Sequence, residues 1–242
     1  VYEEKNMSLT RDNSKVQEAI FSSLFPKHPY GTQTVLGTQE NLKNPSITNI
    51  KNYYKQWYVP NNMAICMSGD LDPDATIALI DKYFGGLKPN PELPKLDLPK
   101  EAPITQPVEK EVLGPDAESV ALAWRFPGVS DKDFEILQVV SQVLYNGKAG
   151  LIDLDLNQQQ KVLNSYGYPM GLADYSALLL GGLPKQGQTL EEVKDLLLSE
   201  IKKLRAGEFD EKMLEANINN FKLGELQNME ATKDVPICLS TH

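Results

Sequence analysis

The sequence predicts an α+β fold built of layered helices and strands. Three observations lead there. Amphipathic segments carry their own helix start and stop residues. Short apolar runs bounded by turn residues lie between them. Strand and helix patterns never alternate strictly enough for a parallel βαβ sheet.

Residues 1 to about 25 read as one helix, with Val1, Leu9, Val16, Ile20 and Leu24 at mostly helical spacings and Pro26 as its stop. "PKHPYGTQTVLGTQENL" is a loop rich in Pro and Gly. Pro45-Ser46 start a helix, "SITNIKNYYKQWYV", whose Ile47, Ile50, Tyr54 and Trp57 share one stripe; Pro60-Asn61-Asn62 break it. "MAICMSG" is predicted as a buried strand, with Cys66 inside it. "DLDPDATIALIDKYFGGL" is a capped helix, with Asp72 at the N-cap, Pro73 at the first helical position and Gly85-Gly86 at the stop.

Residues 89–107 hold Pro89, Pro91, Pro94, Pro99, Pro103 and Pro107. Proline this dense blocks helix and ladder alike, so an extended linker is expected between two domains, 1–88 and 108–242. The charge supports a boundary here. Residues 1–88 carry nine basic and nine acidic residues, while the remainder carries the whole excess of −9.

The second region restarts with "VEKEVL" and "SVALAWRFPG" as strands. "DKDFEILQVVSQVLYN" is a helix with Phe134, Leu137, Val140, Ser141 and Leu144 inward. "NGKAGLIDLDLNQQQ" is a Gly-broken stretch and a further helix, and "SYGYPMGLADYSALLLGGLP" gives one or two strands. "TLEEVKDLLLSEIKKLRAG" is an amphipathic helix with a capping box, Thr189 and Glu192. "DEKMLEANINNFKLGELQNM" is the last helix, and "ATKDVPICLSTH" shows no clear pattern.

Several chemistries are excluded. The two histidines, His28 and His242, and the two cysteines, Cys66 and Cys238, cannot assemble HExxH, HxxEH or a Cys/His metal cluster. "NGKAG" resembles a P-loop only loosely, because Gln142 stands where the first Gly belongs and Ala149 where Ser or Thr should be. "LLLGGLPKQG" lacks the dinucleotide-binding glycine spacing. There is no GxSxG. No basic stripe marks a nucleic-acid partner, and no apolar run approaches the ~18 residues of a membrane span. Cys66 is expected to be buried, and His28 to be a surface or locally hydrogen-bonded loop residue.

That leaves Glu3 and Glu4 in the opening "VYEEKNM". Helical neighbours point about 100° apart, so the two serve different faces. Val1 and Glu4 lie three apart, on a face continuing through Lys5, Ser8 and Leu9. Glu4 is therefore the candidate for an inward carboxylate, which would need a metal or basic partner.

"VYEEKNM", Asp12-Asn13, "LFPKHPYG" and the long run "VLGTQENLKNPSITNIKNYYKQWYVPNNMAICMSGDLDPDATIALIDKYFGGL" together resemble the later part of the catalytic domain of the insulinase/pitrilysin (M16, inverzincin) zinc peptidases. Residues 108–231, with "ALAWRFPGVSDKDFEILQVVSQVL", are similar to that family's next, inactive C-terminal-type domain. The resemblance implies two-layer helix/antiparallel-sheet domains, the first of them truncated. It implies a parent zinc metalloendopeptidase that encloses peptides between two halves. In the family an HxxEH helix supplies two histidine ligands and a Glu base, and a later Glu completes the metal site; by position that Glu is Glu4. The HxxEH motif is absent from these 242 residues, so the chain alone is expected to bind no zinc and to be inactive. The partners implied are a peptide substrate and the rest of the M16 protein, or a second M16 half. An uncovered first domain would also favour self-association. The competing implication is a non-catalytic partner subunit of the same fold, without metal. No compartment is indicated.

Overall fold

The computed structural model describes residues 1–230; the tail "ATKDVPICLSTH", with Cys238 and His242, lies outside the described residues. The chain forms two compact units, each discontinuous. Among the described residues one comprises 1–7, 34–100 and 222–230, the other 8–33 and 101–221.

The second unit holds an antiparallel sheet. Its strands are β1 (Val120–Pro127), β2 (Asn164–Gly171) and β3 (Tyr175–Leu183), in the order β1-β3-β2. Trp124 pairs with Leu178, and Tyr168 with Leu179. The central strand, "YSALLLGGL", is buried almost throughout because both of its faces are covered. Leu178 and Leu180 join one core with Leu137 and Leu144 of α7 (Lys132–Leu144) and Val193 and Leu197 of α8 (Leu190–Ala206). Ala177 and Leu179, one residue out of phase, join a second core with Leu24 of α2 (Asp12–Leu24) and with Phe25. Period-2 alternation sends successive side chains to opposite layers, and a strand buried on both sides must then be apolar at both phases. Gly182 serves this packing, since a Cβ there would stand 2.5 Å from Val193 Cγ1 on α8.

Local chemistry sets the helix limits. Thr189 and Glu192 form the expected capping box, and Gly207 ends α8 in the left-handed region, at φ +72°. Asp131 caps α7 through the Asp133 N–H. After α7 the chain turns through "NGKAG" into a helical stretch closed by a π-helical turn, Asp153–Asn157. The helix α9 (Lys212–Glu230) follows α8.

Residues 101–116 form no strand, although "VEKEVL" was expected to be one. They lie instead as a strap running antiparallel to α2. Lys110 Nζ donates to Ser22 Oγ, Lys15 Nζ to the Leu113 carbonyl, and the Asp116 N–H to Asp12. Side chains therefore replace the ladder. The single opening helix also divides in two, α1 (Tyr2–Leu9) and α2, with Arg11 extended between them at φ −96°.

The first unit carries most of α1, then α4 (Gln39–Lys43), α5 (Ile47–Trp57) and α6 (Pro73–Phe84); the short α3 (Pro29–Thr32) belongs to the second unit. Its caps are those expected, Ser46 on α5 and Asp72 before Pro73 on α6. Its burial is not. Ile47, Ile50 and Tyr54 are exposed, and among the described residues Val59 is the one buried apolar side chain of this unit. "MAICMSG" is not a strand here, and Cys66 is exposed rather than buried. No described neighbour pairs with that segment's backbone, and an unpaired strand does not persist alone.

Candidate functional site

The opening carboxylates occupy the first turn of α1, where an anion suits the helix dipole. Glu4 does not face inward. Its side chain is 68% exposed. Glu3 is exposed as well, and the buried position of α1 is Lys5. The helix is one register step away from the face the sequence suggested, because Lys5, Ser8 and Leu9 turn inward without Val1 and Glu4.

A catalytic zinc needs about three protein ligands converging on one point. Among the described residues no group of three His, Cys, Asp or Glu side chains converges in that way. Glu4 offers one exposed carboxylate, and among the described residues no such set forms around it.

His28 is in a different setting, inside the second unit, with 1% of its surface exposed. Its Nδ1 accepts the Tyr30 N–H at 3.2 Å, which fixes the other ring nitrogen as the donor of the neutral ring. That nitrogen, Nε2, points toward Asp174, 3.5 Å from Oδ2, and makes no hydrogen bond. Tyr30 and Tyr175 stand edge-on to the ring. The loop histidine is thus a local hydrogen-bonder, and a buried one.

Beside it stands a group the sequence did not reveal. The Glu101 side chain, in the Pro-rich stretch, is 1% exposed. Its Oε1 accepts from the backbone N–H of both Lys27 and His28, each at 2.6 Å. Its Oε2 lies 3.8 Å from Arg125 Nη1. The Glu101 N–H donates to Tyr175 Oη at 2.8 Å. Arg125, on β1, also donates to the carbonyls of Leu24 and Ala102. The one sequence signal for this cluster is an acidic residue set among prolines, which does not distinguish a buried anchor from a solvated linker.

The "NGKAG" loop uses its own donors. Asn146 Oδ1 accepts from Lys148 and Ala149, and the buried Asp153 Oδ2 accepts from Asn146 and Gly150. Its amides cradle side chains of the chain itself, leaving no phosphate nest. Further along, Lys203 bridges Asp155 and the buried Glu200. Burial pushes the Glu200 carboxyl above the usual range against the pull of Lys203. The Lys203 ammonium is itself held up, first by its hydrogen bond to Asp155.

The Peptidase M16 inactive domain model matches residues 46–221. The chain belongs to the M16 peptidase family. The zinc protease PqqE of Helicobacter pylori is 27% identical over 223 residues, which are 89% of this chain and 49% of that protein. The crystal structure of a protease from Helicobacter pylori superposes with a TM-score of 0.81 at 24% identity, over 97% of this chain and 58% of the other. An M16-like peptidase from Alicyclobacillus acidocaldarius gives 0.77 at 15% identity, over 99% and 57%. These likenesses bear out the expected α+β fold of M16 type. The chain spans about half the length of the curated relatives it matches. No helix among the described residues is long and apolar enough to cross a membrane.

Proposed function

We propose that this chain works as part of a zinc-dependent M16 metalloendopeptidase acting on peptides or small proteins. The observation that carries the proposal is the alignment of 89% of the chain with a protein named as a zinc protease. In this reading residues 1–88 are the later part of a catalytic-type domain, 89–107 a linker, and 108–242 an inactive C-terminal-type domain. Glu4 contributes one zinc ligand, and the histidine ligands and the base come from an HxxEH segment outside these 242 residues. The exposure of Glu4, and its place in the first turn of α1, leave its carboxylate able to meet such a segment. The partner is that remaining part of the protein, or a second M16 half. The isolated chain associates with itself through the apolar surface of its first unit.

A second reading has its own support, because the matched family model is that of the inactive domain. In it the protein is a non-catalytic M16 partner subunit without metal. One experiment separates the two. Zinc content and peptide hydrolysis are measured for the intact protein and for Glu4→Gln. Zinc and activity in the parent, both lost in the variant, are the expected result. A parent with neither supports the partner subunit. A variant that keeps both removes Glu4 from the metal site.

A further inference from the structure

We infer that the Lys27 and His28 amides and Arg125 form a carboxylate socket, which Glu101 fills from within the chain and which other carboxylates can fill in its place. The geometry is that of anion binding. Two successive N–H groups converge on one oxygen at 2.6 Å, and a guanidinium stands 3.8 Å from the other. A planar carboxylate spans two such donor sets, and charge-assisted bonds of this kind are the strong ones. The occupant is sealed in, with 1% of its side chain exposed. The walls are held by hydrogen bonds. Arg125 lies on β1, braced by the carbonyls of Leu24 and Ala102, and Tyr175 on β3 holds the Glu101 N–H.

The rest of the strap is held differently. Its other side-chain anchors along α2, at Lys110, Leu113 and Asp116, are exposed hydrogen bonds. Exposed polar contacts contribute little against water and side-chain entropy. Glu101 is therefore the pin of the strap. An empty socket would leave the part-buried His28 N–H and the Lys27 N–H without their acceptor and the Arg125 guanidinium without its counter-charge, which is the state a carboxylate relieves. The ligand class is a small carboxylate, or a carboxylate presented by an extended peptide. Glu101 competes with it at the high effective concentration of a tethered group.

The test is hydrogen exchange of the Lys27 and His28 amides in the whole chain, with Glu101→Ala and with acetate as the probe. Removing a charged acceptor should speed both amides roughly 10–100-fold. Acetate should then slow them again in a saturable way, while chloride at equal ionic strength should not. The unsubstituted chain should not respond, because its socket is full. Unchanged exchange in Glu101→Ala overturns the anchor. Faster exchange that acetate leaves alone overturns the socket, and so does an equal acetate response in the unsubstituted chain. If Glu101→Ala does not fold, the same titration is followed by Trp124 fluorescence in a Trp57→Phe background. Acetate-dependent recovery of the folded signal supports the socket, and its absence overturns it.

Discussion

Lys203→Met tests the electrostatics of the second unit at a site where burial and charge oppose each other. Lys203 Nζ lies 2.9 Å from Glu200 Oε1 and 3.1 Å from Oε2, and it also bridges to Asp155. Glu200 is 1% exposed, whereas the Lys203 side chain is 33% exposed. Removing one partner of a fully buried pair costs ~3–5 kcal/mol, and of a surface pair about 0–1. A buried carboxylate facing a part-exposed ammonium falls between, at roughly 2 kcal/mol. With a urea slope of ~2 kcal/mol/M, the midpoint should drop by about 1 M. Trp124 lies against the main core of this unit, so its fluorescence in a Trp57→Phe background reports the transition. The pH dependence identifies the cause. Burial already raises the Glu200 carboxyl, and removing Lys203 removes the opposing pull. An acid raised in the folded state binds more protons folded than unfolded, so stability falls as pH climbs through the window above the ordinary carboxylate range. The loss should be largest at pH 7 and shrink in mildly acid solution, as Glu200 takes up its proton. The ammonium is raised too, so the stability it contributes is intact below the ordinary lysine value and is lost as pH rises past its folded one. An equal loss at both acidities would refute the charge argument and leave only the packing of the lysine stem.

Two further substitutions probe the same unit. Leu197→Ala empties a fully buried site between α8 and β3 and should cost ~2–5 kcal/mol by urea denaturation, against near-neutral Leu197→Met. Thr189→Ala breaks the capping box, in which Glu192 also reaches back to the Thr189 N–H at 2.7 Å. It should cost about 1 kcal/mol, read as a lower melting temperature with the native circular dichroism unchanged.

Legibility in the sequence followed the range of the interactions. Ser46, Asp72, Thr189 and Glu192 act within one turn of their own helix, and their residue types state what they do. "YSALLLGGL" was legible as a strand because β-period packing on two faces leaves an unbroken apolar run. "VEKEVL" was misread because alternation alone does not create a neighbour. Its place is set instead by Lys15, Ser22 and Asp12, roughly a hundred positions away. Glu101 was invisible for the same reason. Its burial depends on Arg125 and the Lys27–His28 amides, none of them near it in sequence. The lone Glu4 was the reverse case. A family pattern marks it, while local physics leaves it an ordinary first-turn carboxylate.

The first unit joins these arguments. Its stripe of Ile47, Ile50 and Tyr54 has helical period, and Met63, Ile65 and Met67 have strand period, yet all six are exposed. Such patterns specify a covered surface, and large uncovered apolar patches mark interaction sites. Covering a large apolar side chain contributes ~1.5–3 kcal/mol, and a two-fold symmetric contact counts each residue twice. Under the proposed self-association, Ile50→Lys should weaken the dimer by roughly 3–6 kcal/mol, or about two to four decades in its constant. It should leave the stability of the monomer almost unchanged, because Ile50 is already exposed within the chain. Leu180→Lys, in the covered core of the second unit, should instead unfold that unit. Sedimentation velocity across a concentration series measures the first effect. A compact monomer at every concentration, with or without the lysine, would refute the inference that this surface is built to be covered.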